Sequence, residues 1–148
     1  MSLVDWRAQG HLREHRTSPQ EIDELLRAVD RDLQDCKTAG LSADWRLAIA
    51  HNAARGLATA ALAAEGYRPG REAHHYWVLQ SLSLTLGLEP EVVAELDAFR
   101  KKRNLGEYER AGAVSDSEVD RAVELALRLR EQTVEWLRAK RPDLLSEP

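Results

Sequence analysis

The residues Arg100-Lys101-Lys102-Arg103-Asn104-Leu105-Gly106-Glu107-Tyr108 bring four consecutive cations, an amide and a phenol together at the end of one expected helix. Val92, Val93, Leu96 and Phe99 recur at helical spacing just before them, which puts Arg100, Arg103 and Asn104 on a common face. A guanidinium stays charged at physiological pH and its donors match phosphate oxygens in pairs, so this face suits the capture of a phosphate. A simpler use is also open. Cations in the last turns of a helix complement the negative end of its dipole, worth about 0.3–1 kcal/mol each, and most charge runs on helices are solvated faces. Gly106 reads as the stop of this helix.

Other polar residues interrupt apolar stretches. His51, Asn52 and Arg55 break an alanine-rich run, with His51 and Arg55 four residues apart; they either line the same cleft as Arg103 or form a solvent-facing stripe. His74 and His75 are adjacent and point about 100° apart on a helix, which suits one half-buried ring and one exposed ring better than joint coordination. His11-Leu12-Arg13-Glu14-His15 spells an inverted zinc-protease motif, but it lies in a polar segment at a chain end where water is not excluded, and it reads as coincidence. No metal site is expected from it.

These residues need a helical scaffold to position them. The expected fold is all-α, an antiparallel bundle of five to six helices, with no alternating strand pattern and no repeat. A short helix over 3–11 precedes one that starts at Ser18 as N-cap, with Pro19 in the first turn and Glu21 placed for a capping box; its apolar stripe is Ile22, Leu25, Leu26, Val29, Leu33 and Cys36. A third helix over 43–64 is mostly alanine, so neighbours can approach it closely, and its 48–62 portion should be the most buried part of the chain. Helices over 72–86, from Pro90 into the basic motif, and over 116–140 follow. One domain is expected over 1–148, its core at about 18–140 and both ends peripheral.

The chain has 148 residues and a net charge of −4, which argues against non-specific nucleic-acid binding through a global field and leaves room for a local basic patch. Trp6, Trp45, Trp77 and Trp136 lie near apolar helix faces and are expected to anchor packing or an interface. One cysteine, Cys36, excludes an internal disulfide and fits a reducing cytoplasm; on its apolar stripe it reads as a buried, inert thiol. The absence of a long apolar run or a signal-peptide core makes a cytoplasmic protein with no membrane contact the expectation.

Arg103-Asn104 followed by Tyr108, the alanine-rich helix containing Ala48-Ile49-Ala50-His51-Asn52-Ala53-Ala54-Arg55, the Gly66-Tyr67-Arg68 break and His74-His75 together resemble the HEPN superfamily over 45–136. These are small helical proteins of prokaryotic toxin–antitoxin, defence and RNA-processing systems. Their motif is an Arg, usually a polar residue such as Asn, a short spacer and then His; here Tyr108 stands where active members carry His. The resemblance implies a homodimer whose two motifs face one cleft, where Arg103 holds the scissile phosphate, Asn104 adds a hydrogen bond and Tyr108 takes the place of the proton-moving residue as the RNA 2′-hydroxyl attacks. Arg100, Lys101, Lys102, His51 and Arg55 are the expected supporting RNA contacts, and neither a metal nor another cofactor is required. Tyr has a reference pKa near 10, against about 6.5 for His, so the replacement puts in question a contribution of about 10²–10⁴ in rate. Two functions follow: an RNA-acting toxin or defence component, a metal-independent endoribonuclease with a degenerate motif and an antitoxin or nucleotidyltransferase partner; or a catalytically inactive HEPN dimer that binds RNA or a nucleotide, or serves as a protein-interaction scaffold.

Overall fold

Ser42 sets the start of the central helix. Its Oγ accepts the Trp45 amide N–H at 3.2 Å, and the helix runs over Ala43–Ala64. In the computed structural model the described residues are 2–108 and 114–145, with the side chains of 104–108 outside the description. In chain order the elements are α1 (Leu3–Ala8), β1 (Leu12–Glu14), α2 (Pro19–Asp35), α3 (Ala43–Ala64), β2 (Tyr67–Pro69), α4 (His74–Gln80), α5 (Leu82–Thr85), α6 (Pro90–Tyr108), α7 (Asp116–Lys140) and a 3-10 turn, Pro142–Leu144. The described residues are mostly helical, as the apolar periodicity requires.

Helix α3 occupies the middle of the bundle, as its alanine content implies. It packs between α2 and α7, with α6, α4 and α5 also against it. Leu47, Ala53, Leu57, Ala58, Ala60, Ala61 and Leu62 have no exposed surface. Helix α2 comes close at Gly56, where a β-carbon would lie 2.9 Å from Val29 Cγ2. Leu47, Ala54, Leu57, Val29, Val78 and Val119 belong to the main core, while Ile22, Ala60, Ala64, Leu137 and Leu144 form a second cluster at the other end of α3.

Several boundaries differ from the sequence expectation. Ser18 Oγ accepts the Glu21 amide N–H at 3.1 Å, but the Glu21 carboxylate turns away to His15 and Thr17, so the capping box is only half made. The helix expected over 72–86 begins at His74, because Ala73 sits in the left-handed region at φ +51°, and it divides at Ser81 into α4 and α5. Helix α6 continues through Gly106 to Tyr108 rather than stopping there. A glycine inside a helix weakens it without obliging it to end.

The N-terminal arm is part of the fold. Leu12, Arg13 and Glu14 pair with Pro69, Arg68 and Tyr67 in an antiparallel ladder that the sequence did not predict; three residues are too few for an alternating pattern to register. Trp6 and Leu12 are buried in the main core, and Leu144 is buried in the second cluster, so neither 1–17 nor 141–148 is wholly peripheral. Gly70 lets the two connections meet: a β-carbon there would lie 2.6 Å from the Gly10 carbonyl oxygen. Among the described residues no helix is long and apolar enough to cross a membrane.

Candidate functional site

The polar interruptions of α3 fall on one side of it. Ala48, His51, Asn52 and Arg55 follow the three- and four-residue spacing of a helix face. His51 is only 4% exposed, and neither its Nε2 nor the Asn52 Oδ1 has a hydrogen-bond partner among the described residues. Arg55 reaches α4, where its Nη1 donates to His75 Nε2 at 2.7 Å. That bond makes Nε2 the acceptor, which leaves the His75 proton on Nδ1.

The end of α6 adds positive charge to the same region. Burial pushes the His51 imidazole down to about 3, aided by the charges of Arg103, Arg55, His75 and Arg100. His75 is pushed down to about 4, first by burial and then by Arg55, His74, Arg103 and Arg100. Arg55 is itself lowered by burial and by Arg103, with Asp32 opposing the shift. At neutral pH the site is therefore a concentration of guanidinium charge around two neutral imidazoles. Such an arrangement favours an entering anion, whose charge would relieve the mutual repulsion.

Not every expected phosphate contact is available for that purpose. Arg100 Nε donates to the Asp97 carboxylate at 2.7 Å, and Lys101 Nζ lies 3.5 Å from the same carboxylate. Asp97 is 7% exposed, so this acid is committed to its own helix. Lys102 Nζ pairs with Glu118 at 2.8 Å, and Glu118 also completes the capping box of α7 with Ser115. The Arg100 guanidinium lies over the Tyr76 ring, 5.7 Å from its centre. Arg100, Lys101 and Lys102 thus tie α6 to itself or to its neighbours.

Arg103 is half-buried and lines a pocket of about 280 Å³ with Asp44, Trp45, Leu47, Ala48, Lys102 and Val114. It links this pocket to the cluster of His51, Arg55 and His75, on all of which its charge acts. The side chains of Asn104 and Tyr108 lie outside the described residues. The helical backbone through Tyr108 nonetheless separates positions 103 and 108 by about 140° around the axis, so no break at Gly106 turns them toward each other.

The structure brings Arg103, His51 and Arg55 together and adds two residues, His75 and Trp45, that the sequence did not place with them. His75 joins the cluster while His74 is exposed, which is the division expected of adjacent rings on a helix. Trp45, expected to anchor packing or an interface, is 66% exposed beside the pocket. The position of Asp97, three and four residues before Arg100 and Lys101, was the available sign that those cations would be paired internally. His11 and His15 flank a strand rather than sharing a helix face: His11 stacks on Trp77 with centres 3.7 Å apart, and His15 Nε2 meets Glu21 at 2.8 Å. Trp77 also packs against Trp6, which commits it to the interior of this chain. Cys36 is buried and its thiol pKa is pushed up by burial, in keeping with an inert thiol.

No family model, curated protein or solved structure matches this chain.

Proposed function

We propose that this chain is a HEPN-type RNA-acting protein of a toxin–antitoxin or defence system, and that Arg103 holds an RNA phosphodiester between α3, α4 and α6. The observation that supports this reading best is the convergence of Arg55, Arg100 and Arg103 on two neutral imidazoles, His51 and His75. Guanidiniums brought together favour an anion among them, and a guanidinium offers the paired donors that a phosphodiester accepts from. On this reading two chains pair so that both sites face one RNA, and an antitoxin, of which a nucleotidyltransferase is one form, restrains the complex.

A second reading, a catalytically inactive HEPN dimer that binds RNA or a nucleotide, is favoured by a specific feature. Imidazoles at about 3 and about 4 are far from the pKa near 7 that suits general acid–base catalysis, and the motif itself carries Tyr108. A bound phosphate raises both imidazoles by adding negative charge beside them, which returns part of the lost basicity.

Incubation of the pure protein with total RNA and a chelator, beside Arg103→Ala, separates the two readings. Fragmentation by the wild type alone identifies a metal-independent ribonuclease. Retention of intact RNA by the wild type alone identifies the inactive binder. If wild type and variant neither cleave nor retain RNA, the RNA-acting function is wrong.

A further inference from the structure

The geometry points to Trp45 as a stacking platform for an unpaired nucleobase, with the pocket between Trp45 and Arg103 admitting one base of a single-stranded RNA whose phosphate lies on the cations of α6. This rests on the RNA-acting reading above and specifies its substrate class. Trp45 stands in the first turn of α3, where its amide is held by the Ser42 cap, yet the residue is 66% exposed. A single exposed apolar side chain is ordinary on a protein surface, so the exposure of Trp45 carries weight through the pocket and cations beside it.

The surroundings argue for a ring rather than a protein face. The other large hydrophobic side chains exposed among the described residues, Val4 and Leu127, do not line this pocket, so Trp45 is not part of a broad apolar patch there. Leu47, Ala48 and Val114 supply an apolar lining, and Arg103, beside the Lys102–Glu118 pair, supplies positive charge. At about 280 Å³ the pocket is close to the lower end of the range for small-ligand sites, roughly 300 Å³. Asp44 also lines it.

Asp44 and Arg55 lie about 16 Å apart along α3, but His51 between them is 4% exposed, so the nucleotide contacts are confined to the Trp45 end, beside Lys102 and Arg103. Aromatic stacking next to a positively charged track is how proteins hold single strands without reading their sequence. A duplex, whose bases are already stacked, cannot use Trp45.

The test titrates three labelled ligands against wild type, Trp45→Ala, Trp45→Phe and Arg103→Ala: a mixed-sequence single-stranded RNA decamer, an abasic ribose-phosphate strand of equal length, and the corresponding duplex. Trp45→Ala is expected to weaken decamer binding about tenfold, to leave the abasic strand unchanged and to be largely rescued by Phe, which keeps an aromatic face. Arg103→Ala is expected to weaken both single strands. The inference is overturned if Trp45→Ala leaves decamer binding intact, weakens the decamer and abasic strand equally, or changes the sedimentation coefficient instead of RNA affinity, which would make Trp45 a contact between copies. If Trp45→Ala has no effect while Arg103→Ala still does, the base platform fails and the RNA-acting reading stands; if the wild type binds none of the three ligands, both fail.

Discussion

Arg55 Nη1 donates to His75 Nε2 at 2.7 Å, joining the central helix α3 to the first turn of α4 through a cation and a neutral ring. A protonated His75 could not accept this bond, so the guanidinium and the proton exclude one another. The pair makes the charge state of α4 sensitive to anything that neutralises Arg55.

The His75 imidazole, pushed down to about 4, should rise toward its ordinary value near 6.5 when Arg55 is replaced by Ala or when an anion occupies the site. Proton NMR titration of the His75 ring, alone and with saturating RNA, measures this. An unchanged midpoint with RNA bound would show that the phosphate lies elsewhere.

His51 should make the protein sensitive to acid. Its folded pKa, about 3, lies below the unfolded value of about 6.5, so the unfolded chain binds a proton first as the pH falls. The stability this group contributes is complete above pH 6.5 and is lost progressively between 6.5 and 3, by about 1.4 kcal/mol per pH unit within that window. His75 acts in the same direction over a narrower range. Urea unfolding at pH 7 and pH 5 should show the loss, and His51→Leu should flatten it. Equal stability of the wild type at the two pH values would exclude a depressed His51.

Gly56→Ala should destabilise the fold despite alanine's better helix propensity. The new methyl would meet Val29 Cγ2 at 2.9 Å in a buried contact, and overpacking costs about 1–3 kcal/mol against a helix gain of about 1 kcal/mol. A net loss of up to about 2 kcal/mol in denaturant unfolding is expected, with recovery in the Gly56→Ala/Val29→Ala double variant. A stabilised single variant would show that α2 and α3 are not packed this closely.

The long elements were legible because their signals are local and repeated. Ser42 and the alanine run define α3, and the apolar stripe from Val119 to Leu137 defines α7, with ends that match the structure. The β1–β2 ladder was not legible, since its stability comes from pairing Leu12 with Pro69 across the chain and from the room left by Gly70. The site was legible in part. Arg103, His51 and Arg55 carry types unusual for their positions, whereas the role of His75 depends on α4 folding back against α3, and the exposure of Trp45 depends on which face of the first turn of α3 its neighbours leave open. Asp97 shows the converse: its spacing from Arg100 and Lys101 was visible, but only burial shows how far it commits them.

Titration of a labelled single-stranded RNA with wild type and Arg103→Ala, read beside their melting temperatures, tests the central claim most directly. Loss of the phosphate contact should weaken binding at least tenfold and reduce its salt dependence by about one phosphate, with the variant still folded at the assay temperature. Undiminished RNA binding by Arg103→Ala, or a large fall in melting temperature with no change in affinity, would contradict it and assign Arg103 to the scaffold.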